Sequence, residues 1–193
     1  MKYLFCYFWL LMRERYFVEL SFDGTAFHGW QRQKNALSVQ EVLERALSGV
    51  LMQDVRVTGC GRTDTGVHAR ELFAQFDSTR NIISPALLPY RRGRGAEADW
   101  LHRFNSILPT DISIDGIFAV ENNANARFDA TARTYQYYIH NKRNPFLVNR
   151  SYYYYNELDI ILMNKAAKIL TKNKDFSAFS KVNTQVKTNI CKI

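Results

Sequence analysis

Gly59-Cys60-Gly61-Arg62-Thr63-Asp64-Thr65-Gly66-Val67-His68 is the stretch of this 193-residue chain whose residue types best suit chemistry. Its glycines permit positive φ and close backbone approach, so Asp64 is presented on a tight loop rather than inside an element. Arg62, two residues away, brings a positive charge to the carboxylate and is able to contact phosphate. A hairpin loop that uses an Asp for its turn has the same composition, and these residues alone leave both readings open. Asp64 and His68, four apart, invite a metal reading. Gly66 argues against the helix that would align them and no third ligand is near, so no metal is expected and His68 is left to bind backbone or to pack. Cys60 ends an apolar strand, where a cysteine is more often a small core residue than a nucleophile. Cys6, Cys60 and Cys191 are odd in number, far apart and without CxxC spacing, so neither a disulfide framework nor a zinc site is indicated, and a reducing cytoplasm fits.

Three elements must position that loop. Residues 16–22 alternate apolar and polar and run into Asp23-Gly24, a strand entering a turn. Ser38 and Glu41 form a capping box, and Val39, Val42, Leu43, Ala46, Leu47, Val50 and Leu51 recur on one face, predicting an amphipathic helix. Val55 to Cys60 and Glu71 to Asp77 are strand-like and are expected to pair antiparallel around the Asp64 loop. Ser84 to Ala98, rich in Pro, Arg and Gly, reads as an irregular insertion containing Arg91, Arg92 and Arg94. A helix over 100–108 stopped by Pro109 and a strand over 112–120 complete a β-α-β-β-α-β order, the signature of a ferredoxin-like split βαβ sandwich.

The polar Asn122-Asn123-Ala124-Asn125 segment marks a domain boundary, giving an α+β domain over 12–123 and a second over 124–193. In the second, a strand over 128–140, a helix capped by Asn156 and running to Leu170, and a strand over 185–193 are expected. The sequence stops inside that alternating segment, leaving a sheet edge uncovered; this suggests truncation, against the alternative of a short chain with an edge strand at its terminus. Residues 1–11 form an apolar run too short to span a bilayer and without a small-residue cleavage site, so Met12 is read as the functional start and no membrane association is expected.

An apolar fraction of 47% and a charged fraction of 23% exclude a disordered chain. The net charge of +8 sets up a positive field that attracts polyanions, and nucleic acid is the leading partner class.

Five blocks together resemble the TruA family of tRNA pseudouridine synthases. Asp23-Gly24-Thr25-Ala26-Phe27-His28-Gly29-Trp30-Gln31-Arg32-Gln33 is similar to the family's entry motif, and Gly61 to Ala69 to its catalytic motif. Phe104-Asn105-Ser106-Ile107-Leu108-Pro109 is similar to its inter-helix signature. Ala126 to Ala130 with Arg133-Thr134-Tyr135-Gln136-Tyr137 resembles the segment that supplies the active-site tyrosine, and Asp175-Phe176-Ser177-Ala178-Phe179 a further family segment. The blocks follow the family's order.

The resemblance implies two ferredoxin-like domains with a basic cleft between them, the second truncated here, in a cytoplasmic homodimer that needs no cofactor and converts uridine to pseudouridine at positions 38 to 40 of the tRNA anticodon arm. By the same resemblance Asp64 is the catalytic aspartate, Arg62 extrudes or holds the nucleotide and Tyr135 stacks on the uracil. Asp64 either adds to the base or sugar or takes a proton from the ribose C2′. The family continues beyond this length with an arginine opposite the aspartate, so a non-catalytic tRNA-binding fragment stays open beside the enzyme. The tyrosines over 152–155 receive no role.

Overall fold

The computed structural model describes residues 13–82, 96–180 and 188–193. The chain divides into one unit running to Tyr135 and another from Gln136 to Ile193, so residues 124–135, which the sequence reading assigns to the second domain, fall in the first unit.

The first unit is built on an antiparallel four-stranded sheet. Its strands are β1 (Glu14–Phe22), β2 (Thr58–Gly59), β3 (Ala69–Ser78) and β4 (Ile112–Val120), in spatial order β2-β3-β1-β4. Helix α1 (Val39–Leu51) connects β1 to β2, and α2 (Ala96–Asn105) connects β3 to β4. Alternation along β1 sends Tyr16, Val18, Leu20 and Phe22 into the core, where they meet Leu72, Ala74 and Phe76 of β3 and Val39, Leu43, Leu47 and Leu51 of α1. Each Val, Leu or Phe among them contributes about 1.5–3 kcal/mol by leaving water. β4 keeps its apolar residues inward across a bulge: the register with β1 slips between Glu19 and Leu20, so Ile112 and Ile114 before it and Ile117 after it are all buried. Asn105, at the end of α2, seals this edge strand by accepting from Ile114 N–H and donating to Ile114 O, both at 2.8 Å.

α1 starts where the sequence places it. The Ser38 hydroxyl accepts from Glu41 N–H at 3.3 Å, but Glu41 pairs with Arg45 at 2.6 Å rather than reaching back, which completes half of the capping box. Two other orphan donors of the first turn, Val39 N–H and Gln40 N–H, bond to Gly29 O and Trp30 O.

Several expectations are adjusted. The strand over 55–60 forms ladder pairs only at Thr58–Gly59, although Val55 and Val57 are buried and Cys60 N–H still bonds to Phe73 O. The helix expected over 100–108 runs over Ala96–Asn105 instead, taking 96–98 from the predicted irregular stretch. Residues 1–12 and 83–95, with Arg91, Arg92 and Arg94, lie outside the described residues.

The second unit contains β5 (Ile139–His140) paired in parallel with β6 (Tyr152–Tyr153), and α3 (Ile160–Leu170). The strand predicted over 128–140 is therefore cut to two residues, because only Ile139 and His140 find a partner strand. α3 is capped by Asp159, whose carboxylate accepts from Leu162 N–H at 2.9 Å, and not by Asn156. Of the expected terminal strand, 181–187 lie outside the described residues and 188–193 contribute an isolated bridge between Ile190 and Asp175. Among the described residues no helix is long and apolar enough to cross a membrane.

Candidate active site

The Asp64 loop is held in shape by the segment that follows β1. Trp30 N–H donates to Thr63 O at 3.1 Å, and Gly66 N–H donates to Phe27 O at 3.2 Å. Val67 N–H closes a turn onto Asp64 O at 3.2 Å. These bonds fix the backbone on both sides of Asp64 without engaging its side chain.

The glycines make the approach possible. A Cβ on Gly24 would lie 2.0 Å from Val67 O, and one on Gly29 would lie 2.4 Å from Thr63 O; Gly29 also has φ +80. Gly59 gives way to the buried Trp30, whose indole would sit 2.6 Å from an added Cβ, whereas Gly66 supplies φ +77 with open space around it. The glycines thus serve two needs, close packing at Gly24 and Gly59 and a left-handed backbone at Gly66.

His68 Nδ1 lies 3.0 Å from both Gly24 N and Asp23 Oδ1. Unprotonated, this nitrogen accepts from Gly24 N–H; protonated, it donates to Asp23. In either state His68 buckles the end of the loop to the Asp23-Gly24 turn. Among the described residues no group of three or more His, Cys, Asp or Glu is arranged to hold a metal.

Arg62 and Asp64 are exposed on this loop, and among the described residues neither side chain has a hydrogen-bond or ion-pair partner. Tyr135 stands at the end of the first unit, 65% exposed, with no aromatic partner among the described residues. The segment leading to it starts on the sheet. Arg15 forms a two-pronged pair with Asp77 at 2.8 and 3.0 Å and donates to Ala124 O at 2.9 Å. The hydrogen bonds with Asp77 raise the Arg15 pKa above its ordinary value. Gln75 accepts from the buried Ala126 N–H at 2.6 Å. Arg133 then donates to Cys60 O at 2.6 Å, joining this segment to the head of the Asp64 loop.

Glu44 is a further organiser that sequence reasoning passes over. Buried on α1, it accepts from Val57 N–H at 3.0 Å and from Arg32 at 3.0 Å, so one carboxylate ties the helix to the segment before the Asp64 loop and to the segment that follows β1. Its position was a signal: residue 44 stands three and seven residues before the buried Leu47 and Leu51, on the apolar face. The Asp175-Phe176-Ser177 block folds locally, Asp175 accepting from Ser177 N–H and Oγ, which lowers the Asp175 pKa below the ordinary carboxylate range.

Comparison with protein-family profiles returned no match. Comparison with curated proteins did. The chain is 46% identical over 183 residues to tRNA pseudouridine synthase A of Bacteroides fragilis, covering 93% of this chain and 67% of that protein. It is 48% identical over 182 residues to the protein of the same name from Bacteroides thetaiotaomicron, covering 62% of it, and 44% identical over 179 residues to that from Porphyromonas gingivalis, covering 67% of it. The chain therefore spans about two thirds of the length of these relatives.

Proposed function

Because the chain belongs to the tRNA pseudouridine synthase A family, we propose that it isomerises uridine to pseudouridine in the anticodon stem-loop of tRNA, with Asp64 as its catalytic carboxylate. The observation that carries this reading is the Asp64 side chain itself, exposed and unengaged among the described residues on a loop tied down through its backbone at Thr63 and Gly66 and through the His68 side chain. Catalytic carboxylates benefit from this combination, since a fixed backbone places the group while an unpartnered side chain stays available to substrate.

The reaction breaks the bond between N1 of uracil and C1′ of the ribose and rejoins the same base through C5. Nothing is added or removed, so the site must retain the detached base and steer its rotation. Asp64 either adds to the substrate or takes the C2′ proton. Extruding the base costs a few kcal/mol, and one aromatic stacking partner returns about 1–3 kcal/mol. Tyr135, exposed and unstacked, suits that role, and Arg62 suits the role of holding the extruded nucleotide or its phosphate. The strand order β4-β1-β3-β2 with a helix after β1 and another after β3 supports a ferredoxin-like plan for the first unit. A net charge of +8 supports tRNA as the partner. A cytoplasmic homodimer that works without cofactor or metal completes the reading.

A second reading, tRNA binding without turnover, is favoured by the share of its relatives' length that the chain spans. Both are tested by measuring pseudouridine in an unmodified tRNA transcript incubated with this chain and with a chain extended to its relatives' length. Product from this chain that vanishes in Asp64→Ala supports the enzyme. Product from the extended chain alone, with tRNA bound by both, supports binding without turnover. Product surviving Asp64→Ala rejects the catalytic assignment, and none from either chain rejects the reaction.

A further inference from the structure

The Arg133 side chain bridges two backbone carbonyls that are far apart in sequence. Its Nη2 donates to Cys60 O at 2.6 Å and to Arg127 O at 3.2 Å, and its Nε passes Gly61 at a distance where an added Cβ would be 3.4 Å away. An arginine serving as a charge partner faces a carboxylate. Here, among the described residues, no carboxylate lies within ion-pair distance of Arg133, and its acceptors are main-chain oxygens.

The surroundings make this contact unusually influential. Residues 122–129 are fixed by the Arg15 and Gln75 bonds and by the turn in which Asp129 and Asn125 bond each other at 2.7 and 2.9 Å. Past that turn, the Arg133 bonds are the only hydrogen bonds that residues 130–135 make among the described residues. Cys60 stands four residues before Asp64, and its own N–H is locked to Phe73 O of β3 at 2.7 Å. The anchor is therefore rigid, and the tethered segment is held at this one place.

We infer that Arg133 is a positioning residue, clamping the segment that carries Tyr135 to the loop that carries Asp64 so that ring and carboxylate address one nucleotide. This rests on the pseudouridine reading above. Two residues of chain extend at most about 7 Å, so the clamp confines Tyr135 closely; without it the tether starts near residue 129, about 20 Å of chain away. A misplacement of this kind costs the chemical step more than it costs tRNA binding, which is spread over many phosphate contacts.

The test compares Arg133→Gln, Arg133→Lys, Tyr135→Leu and the double variant Arg133→Gln/Tyr135→Leu in tRNA modification and in tRNA binding, using whichever chain length is active. Arg133→Gln is expected to lower kcat about 10- to 100-fold with KM nearly unchanged. Arg133→Lys, which keeps the charge but loses the fork, is expected to recover part of the loss. On the Tyr135→Leu background, Arg133→Gln is expected to cost less than about threefold more, because the clamp acts through the ring. Full additivity, or a rise in KM that disappears at high salt with kcat intact, overturns the proposal and makes Arg133 a phosphate contact. Backbone NMR order parameters separate this from failure of the functional reading. If no chain length forms product the reaction falls, and Arg133→Gln is still expected to lower the order parameters over 130–135 while β1 and β3 keep theirs. Unchanged order over 130–135, or an equal loss throughout the unit, overturns the clamp.

Discussion

Helices α1 and α3 are similar in length, 13 and 11 residues, and each opens on a side chain that caps its first turn. Their apolar residues meet different fates. Leu43, Leu47 and Leu51 of α1 are 0% exposed, whereas Ile161 and Leu162 of α3 are 70% and 59% exposed, and α3 buries none of its residues. The difference lies in what each helix has to pack on. α1 faces a four-stranded sheet whose β1 is joined to β3 and to β4 by long ladders, and the second unit offers a parallel pair two residues long on each strand. An amphipathic pattern is sufficient to make a helix, but its burial depends on a partner surface. Accordingly, the cohesion of the described protein is concentrated in the unit that presents Asp64.

Paired truncations break or sharpen that contrast most strongly. Leu47→Ala is expected to destabilise the first unit by about 2–5 kcal/mol in denaturant unfolding, and Ile161→Ala to change stability by no more than about 0.5 kcal/mol. Equal losses would show α3 to be buried against a surface. Next, Gly24→Ala drives a Cβ into Val67 O and is expected to cost about 1–3 kcal/mol while displacing the Asp64 loop, read as lost protection at the Gly66 amide. Met52, the C-cap of α1 at φ 54, is a non-glycine residue in the left-handed region. Met52→Gly is expected to raise stability by about 0.5–1 kcal/mol; a loss would mean that its exposed side chain packs in solution. The smallest effect belongs to the second unit. Because the Ser177 bonds depress the Asp175 pKa, the turn they make is favoured above the ordinary carboxylate range and is lost as pH falls through the lowered value. Ser177→Ala is expected to return the Asp175 titration, followed by NMR, toward the ordinary range.

The elements of the first unit are legible wherever a period of two or 3.6 reaches a continuous core. β1, α1 and β4 coincide with their patterns because alternate or every third and fourth residue is apolar and buried. The strand expected over 128–140 reads no less clearly, yet residues 128–138 form no strand, since a strand needs a neighbour with matching register and the tyrosines do not specify one. The cap of α3 was misassigned for a related reason: Asn156 and Asp159 are both good caps, and the choice turns on which lies directly before the first helical residue. Within the site, Asp64 and the glycines stand out by residue type. Glu44, Gln75 and Arg133 do not, because their roles are hydrogen bonds to main-chain atoms 13, 51 and 73 residues away.

The sequence by itself determined that a carboxylate flanked by glycines would stand on an exposed loop, next to an arginine and between two strands. That loop is now the best-defined part of the molecule's chemistry. Tertiary structure decided how it is held: which carbonyls Trp30, Gly66 and Arg133 reach, why Gly24 admits no side chain, and that the segment leading to Tyr135 is fastened to the same loop. Local spacing fixes what a residue can do, whereas hydrogen bonds to a distant backbone exist only once the sheet has brought the two stretches together.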